Sequence, residues 1–371
     1  MQQATLELDA SRAPSTDRTG FQIGWDHAHH GLVPPAELLL QGTPLGQGWR
    51  AGKAVFGRRT LATQRATRQW LALRTRAWCE GIDFDPQHVT AQLLSKIEAT
   101  RCPVLRTPLG GAPGQADAAV IERINPQAGY VAGNLVMLSQ RAAQARAGLN
   151  VLQTVRNAHR SQAAAEPVSG LDAAAWWRLA ALRSFATPLP FHDALRLPLA
   201  LLPPPRARVL NAVQGLQALL TLQFATPGWS ARTRAIADWL PEHTLRHDYN
   251  LFIGALAPRV LEAAVGGVRQ ALEDAWLNER VQRRWQHFAA SLGEAAAARL
   301  VERAADHAAA APRSQRVGNT VSTAATAGSP PMNKATTTGA SVSWLNARPG
   351  FNQVKVQFIM PKSNIASGLC N

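Results

Sequence analysis

The densest group of side chains that could hold a metal ion is a histidine-rich stretch near the start of the sequence. His27, His29 and His30 stand there beside Asp26. Imidazole and carboxylate groups are common zinc ligands, but a structural zinc site needs a set of four at suitable spacing. No further ligand pair at such spacing is apparent, so the stretch favours packing and turn roles.

A second histidine pair, His243 and His247, is four residues apart and is followed by Asp248. On a helix this spacing places both imidazoles on one face. The stretch HTLRHD lacks the Glu that follows the first His in zinc proteases, so it is weak ground for a metal site. The sequence also has no P-loop and no Gly-x-Gly-x-x-Gly turn after a strand, which argues against NTP or dinucleotide chemistry.

The pattern with the most chemical content spans residues 101–148. Short apolar runs alternate there with two Gly-rich turns, PLGGAPGQ and PQAGYVAGN. An Arg- and Ala-rich helix is predicted from Ser139 onward. The expected order is therefore strand, loop, strand, helix.

This segment resembles a group of phage and bacterial HNH-type endonucleases. In that group a Cys-Pro-Val opening leads to Asp-Arg-Ile, then to Gly-Tyr-Val-x-Gly-Asn, an apolar strand, and a helix with Arg-Ala-Asn-x-x-Lys. Order and spacing are kept here throughout. The matching residues are Cys102, Pro103, Val104, Glu122, Arg123, Ile124, Gly129, Tyr130, Val131, Gly133, Asn134, Arg141, Ala142 and Arg146.

The resemblance implies a small ββα-metal module that hydrolyses phosphodiesters with Mg²⁺ or another divalent cation. Glu122 stands at the first metal-ligand position and is the metal candidate, since its oxygen suits Mg²⁺. Asn134 stands where the family's Asn fixes the loop or orients the base. With Arg123, these residues form the catalytic candidates, and Arg123, Arg141 and Arg146 are the nucleic-acid-binding candidates.

Two positions depart from a working nuclease. Arg123 stands where many HNH enzymes have the His base, and an Arg side chain can bind phosphate but cannot activate water. Ala143 stands where the last His or Asn ligand would be, and a methyl group coordinates nothing. Asp117 could supply a second carboxylate, although it is offset from the strand end.

Composition supports a polyanionic partner. The 371 residues carry a formal net charge of +15, which attracts nucleic acid in a salt-sensitive way, so DNA is the expected partner. An Arg- and Ala-rich composition is also typical of a GC-rich genome. No protein partner is indicated.

The expected location is the cytoplasm. Three scattered cysteines, Cys79, Cys102 and Cys370, fit a reducing compartment. The sequence shows no secretory signal and no membrane span.

The predicted fold class is α+β and mostly α, with the ββα module between a helical amino-terminal region and a helical bundle. Helices are predicted over residues 60–81 and 90–99, and irregular structure with a short helix over 36–41 is expected in the stretch from residue 21. Prolines 203–205 exclude helix. The expected domains are 1–20 disordered, 21–100 mainly helical, 101–150 the module, 151–170 a helix end and linker, 171–312 the bundle, and 313–371 a disordered basic tail or a joined extension.

Three functions remain open from the sequence. The chain could be a DNA-binding protein with metal-dependent endonuclease activity, of phage or mobile-element origin. It could instead be a catalytically inactive DNA-binding or regulatory protein that keeps the fold, or a helical structural or interaction protein. Glu122 and Asn134 favour the first function, whereas Arg123 and Ala143 favour the second.

Overall fold

The computed structural model describes residues 13–263, 267–310, 341–343 and 355–358. Within these residues the chain is mostly helical with a small β component, which confirms the predicted fold class. The disorder expected for residues 1–12 and for most of 313–371 lies outside the described residues. In the described part, no helix is long and apolar enough to cross a membrane.

The chain forms two compact units. The first unit comprises Met1–Glu98 and Pro126–Leu135, and the second comprises Ala99–Asn125 and Val136–Asn371. The segment 126–135 thus groups with the first unit, although the sequence places it inside the expected 101–150 module.

The first unit is helical. Thr43 and Thr90 cap two of its helices, since each hydroxyl accepts a hydrogen bond from a backbone N–H of the first turn. The Thr90 cap and the buried Leu94 and Ile97 agree with the prediction for residues 90–99. The helices are α1 (Ala13–His29), α2 (Pro44–Phe56), α3 (Arg65–Cys79) and α4 (Ala91–Ile97), with a 3-10 turn at Ala36–Leu39.

Helices α1 and α2 were not expected from the sequence, so the disorder expected up to residue 20 is wrong for residues 13–20, and the irregular structure expected from residue 21 is wrong where these helices lie. The 3-10 turn at Ala36–Leu39 agrees with the short helix expected over 36–41. The glycines that suggest loops serve close helix packing instead. A Cβ atom on Gly24 would lie 1.9 Å from the carbonyl oxygen of Leu45, and one on Gly48 would lie 1.9 Å from that of Phe21. The two backbones are therefore in direct contact, which only glycine permits.

The segment 126–135 joins the first unit through Tyr130. The Tyr130 N–H donates to Asp83 O at 2.8 Å, and the Asp85 N–H donates back to Tyr130 O at 3.0 Å. The ring is 1% exposed, and its hydroxyl accepts a hydrogen bond from Arg76 Nε at 2.9 Å. A Cβ on Gly129 would lie 2.6 Å from Asp83 O, so this contact explains the Gly-Tyr pair.

Residues 119–145 show the predicted strand, loop, strand, helix order, and their segment 126–135 belongs to the first unit while the rest belongs to the second unit. Its first strands are β1 (Ala119–Arg123) and β2 (Leu135–Ser139), which form a two-stranded sheet, followed by α5 (Gln140–Ala145). The remaining helices are α6 (Val151–Ala164), α7 (Ala173–Phe185), α8 (Phe191–Arg196), α9 (Ala212–Leu222), α10 (Trp229–Ala237), α11 (His243–Ala263), α12 (Val268–Asp274), α13 (Glu279–Leu292) and α14 (Glu294–Ala310), with 3-10 turns at Gln223–Ala225 and Ala275–Leu277.

Two expectations for the second unit are corrected. Residues 151–164 form a complete helix, α6, which starts with a capping box at Asn150 and packs on α7. Strands β4 (Ser341–Ser343) and β5 (Lys355–Phe358) fall within the expected disordered tail, and β5 pairs parallel to β3 (Arg208–Val209) and antiparallel to β4. Residues 203–205 are outside helices, as their prolines predict.

Tryptophans form the core of the second unit, as the sequence suggested. Trp176, Trp276 and Trp285 are at most 1% exposed. Each indole N–H has an acceptor, at Val168 O, Thr221 Oγ1 and Leu195 O respectively. These residues are therefore satisfied core side chains and not surfaces for stacking bases.

Candidate functional site

The strand, strand, helix module in the second unit is held together by its backbone. Ser139 caps α5, because its hydroxyl accepts from the Ala142 N–H at 3.3 Å. The next two amides, of Gln140 and Arg141, donate to Ala118 O and Ala116 O at 2.9 Å each. The start of α5 is thereby fixed to the chain that leads into β1, and the module positions Glu122 and Arg123 at the end of that strand.

The main polar contact of the module is an ion pair between Glu122 and Arg146. Arg146 Nη2 lies 2.8 Å from Glu122 Oε2, and Nη1 donates to the Arg123 carbonyl at 2.7 Å. The Arg146 side chain is 7% exposed and that of Glu122 is 25% exposed. Arg146 therefore links the end of α5 to β1. The prediction that Arg146 contacts phosphates on the surface is wrong, because its side chain is buried.

The other two arginine candidates differ in exposure. Arg123 is half-buried at the end of β1. Arg141 is exposed, and its Nη2 donates to the Gly170 carbonyl. Arg141 thus secures the loop between α6 and α7 while part of it faces solvent.

Asn134 belongs to the first unit, whereas Glu122 belongs to the second. The Asn134 side chain is buried, and its Nδ2 donates to Gly129 O at 3.0 Å and Ala128 O at 3.5 Å. Gly133 precedes it with a φ of +91°, a conformation that favours glycine. These contacts close the loop that carries Tyr130. The role of Gly133 and Asn134 in shaping this loop is therefore enough to explain why the two residue types occur there.

Arg183 is a buried charge that the sequence analysis missed. It is 4% exposed on α7, and its Nε has no hydrogen-bond partner among the described residues. Burial, and to a smaller extent repulsion by Arg146, lower the pKa of Arg183 to about 10. An Arg within a helix that is apolar on all sides, AAAWWRLAALRSF, is the sequence signal that predicts such burial.

The module fits a divalent cation poorly. Mg²⁺ binds carboxylate oxygens with near-octahedral geometry, but Arg146 Nη2 already lies against Glu122 Oε2. Nearby Arg183 adds a further positive charge. In the residues that the structure describes, no group of three or more His, Cys, Asp or Glu side chains could hold a metal ion.

The histidines singled out from the sequence make packing and surface contacts. His27 Nδ1 lies 2.8 Å from Ile23 O, and the His29 ring stacks on Phe56 at 4.3 Å. His243 and His247 are exposed at the start of α11. No protein-family model, curated protein or solved structure matches the chain.

Proposed function

We propose that this protein binds DNA and that its HNH-like module supports the binding fold without cutting the DNA. The observation that carries the proposal is the ion pair between Glu122 and Arg146. A carboxylate held by a buried guanidinium serves as a structural anion. Arg123, at the position of the HNH base, supplies no group that could deprotonate water.

The charge of the chain supports DNA as the partner. A net charge of +15 gives the molecule a positive field, and binding to phosphates releases counterions from the DNA. The logarithm of the affinity should therefore fall linearly with the logarithm of the salt concentration.

Two measurements on the full chain test the proposal. The first is fluorescence anisotropy with a labelled duplex between 50 and 200 mM salt, where we expect salt-dependent binding. Absence of binding at the low end would contradict the proposal.

The second measurement is nicking of supercoiled plasmid with Mg²⁺ or Mn²⁺. We expect no nicking above the level of a metal-free control. Metal-dependent nicking that disappears in Glu122→Gln would establish the endonuclease alternative and assign Glu122 to it.

A further inference from the structure

Helix α13 has two contrasting faces. Its apolar face carries Val281, Trp285, Phe288, Ala289 and Leu292, all buried. The Trp285 indole N–H also donates to Leu195 O on α8 at 3.1 Å. The helix is thus firmly anchored in the second unit, so the positions of its outward side chains are set by a rigid element.

The outward face of α13 is basic. Arg283 and Arg284 each lie three or four residues from both Arg280 and His287, which places the four side chains on one side of the helix. Together they line a cleft of about 350 Å³. Because the four lining side chains are all basic, the cleft has the chemistry of an anion site.

The three guanidinium groups of this cleft are not neutralised by acids of the described chain. None of them forms an ion pair or a side-chain hydrogen bond with the residues that the structure describes. The neighbouring acid is Asp248 on α11, whose Oδ2 lies 3.4 Å from His287 Nε2. Glu279 precedes Arg280 in sequence and is exposed.

This clustering works against the stability of the helix. Like charges at i, i+3 and i, i+4 repel, and the cleft contains such pairs in Arg280–Arg283 and Arg280–Arg284. A bound polyanion would offset that repulsion.

We infer that the Arg280, Arg283 and Arg284 face of α13 contacts the phosphate backbone of duplex DNA. Positions 280 to 284 span about 6 Å along the helix axis. Each DNA strand carries one phosphate per about 3.4 Å of the duplex axis, so three successive phosphates span about 7 Å of that axis, which is close to the length of the arginine face. The inference rests on the proposed DNA binding and gives it a surface outside the HNH-like module.

The test compares three forms of the full chain by anisotropy with a mixed-sequence 20-bp duplex. These are the wild type, the triple variant Arg280→Gln, Arg283→Gln, Arg284→Gln, and a control triple variant Arg156→Gln, Arg160→Gln, Arg299→Gln. The control residues are exposed arginines of the same unit on α6 and α14, so both variants lose three charges.

We expect the α13 variant to lower the slope of log affinity against log salt by about 2.7, which corresponds to three lost phosphate contacts. The control should lower it by less than half as much. The triple variant Arg280→Lys, Arg283→Lys, Arg284→Lys keeps the positive charge, so it should keep most of the wild-type slope. Retention of the slope in this variant would also show that the face tolerates substitution.

Each other outcome has a distinct meaning. If the wild type binds the duplex and the α13 variant has the same slope, this inference fails while the proposed function stands. If the wild type does not bind the duplex, both fail. If the α13 variant loses binding to anionic lipid vesicles but keeps its binding to DNA, the partner assigned to this face is wrong.

Discussion

At the scale of single residues, the chemistry of the strand, strand, helix module depends on what surrounds Glu122. The resemblance predicts a metal ligand at this position, whereas in the structure the carboxylate forms an ion pair with Arg146 of the same chain. The pair connects β1 to the end of α5 across 24 positions of sequence. Nothing in the local pattern distinguishes a ligand for a metal from a ligand for a guanidinium, because both call for a carboxylate.

The ion pair predicts an asymmetric effect on stability. Glu122→Gln leaves the buried Arg146 without its counter-charge and close to Arg183, so we expect a loss of about 3 kcal/mol in the free energy of unfolding. Glu262→Gln is the matched control, because its partner Arg259 and Glu262 itself are 51% and 66% exposed. The free energy of unfolding of Glu262→Gln should fall by less than about 1 kcal/mol.

Urea unfolding of the two variants measures this difference. Adding Arg146→Met to Glu122→Gln should recover part of the lost stability, because it removes the unpaired buried charge. Equal losses in Glu122→Gln and Glu262→Gln would show that the Glu122 pair is a surface contact of little weight.

His27 gives the first unit a dependence on pH. Burial lowers the pKa of His27 below its ordinary 6.5, although the hydrogen bond to Ile23 O and the charge of Asp26 act in the opposite direction. The unfolded chain therefore binds a proton more readily than the folded one. Stability is fully present above about pH 6.5 and is lost as the pH falls through the lowered pKa of the folded state.

We accordingly expect the free energy of unfolding of the first unit to be lower at pH 5.5 than at pH 7.5. His27→Gln should reduce this difference, whatever its effect at a single pH. The exposed His192 serves as a control, and His192→Gln should leave the difference unchanged. Hydrogen exchange in α1 and α3 at the two pH values measures the effect, and an undiminished difference in His27→Gln would exclude this histidine as its source.

At the scale of elements, apolar periodicity predicted the helices whose buried faces are made of large side chains. Helix α3 buries Leu71 and Leu73, and its predicted range of 60–81 encloses the observed one. Helices α1 and α2 escaped prediction because glycines lie where the two helices touch, Gly24 against the Leu45 backbone and Gly48 against the Phe21 backbone. Glycine in a sequence indicates a turn or a close approach, and only the partner helix decides between them.

The close approach of α1 and α2 makes their glycines sensitive to a single methyl group. Gly24→Ala and Gly48→Ala would each place a Cβ within 2 Å of a carbonyl oxygen, at Leu45 and Phe21 respectively. The helices must move apart to accommodate the added methyl group, so we expect the stability to fall by about 1–3 kcal/mol. This loss outweighs the better helix propensity of Ala.

Gly254 in α11 is the matched control, since a Cβ there meets no atom within 4 Å. Gly254→Ala should stabilise its helix by up to about 1 kcal/mol. Opening free energies from hydrogen exchange of α1, α2 and α11 peptides measure these effects. A gain in stability from Gly24→Ala would mean that the two backbones are not in contact.

At the scale of the whole molecule, the sequence predicted the mostly helical class and the strand, loop, strand, helix order within residues 101–148, but not the grouping of residues into two units. The resemblance to the family's Gly-Tyr-Val-x-Gly-Asn stretch places the residues around Tyr130 in the expected 101–150 module. The partners of Tyr130, Asp83 and Asp85, lie more than forty positions away. Pairing over such a distance is a tertiary contact that no local pattern encodes.

The two tyrosines of the chain allow the two units to be tested separately. Tyr130 is buried in the first unit with its hydroxyl on Arg76 Nε, and Tyr249 is buried in the second unit, where its hydroxyl lies 3.0 Å from Thr233 O. Replacing either residue with Phe removes a hydroxyl and leaves a buried polar group with one partner fewer. Each change should lower the stability of the unit that contains it by about 1–2 kcal/mol.

Hydrogen exchange locates the loss of stability in each variant. Tyr130→Phe should raise exchange in α3 and in residues 83–85, because both contact that ring or its backbone. Tyr249→Phe should raise it in α10 and α11, which the hydroxyl joins. If Tyr130→Phe leaves exchange in α3 and residues 83–85 unchanged, then the segment 126–135 does not stabilise the first unit, and the Gly-Tyr-Val-x-Gly-Asn motif must be explained by the HNH-like module after all.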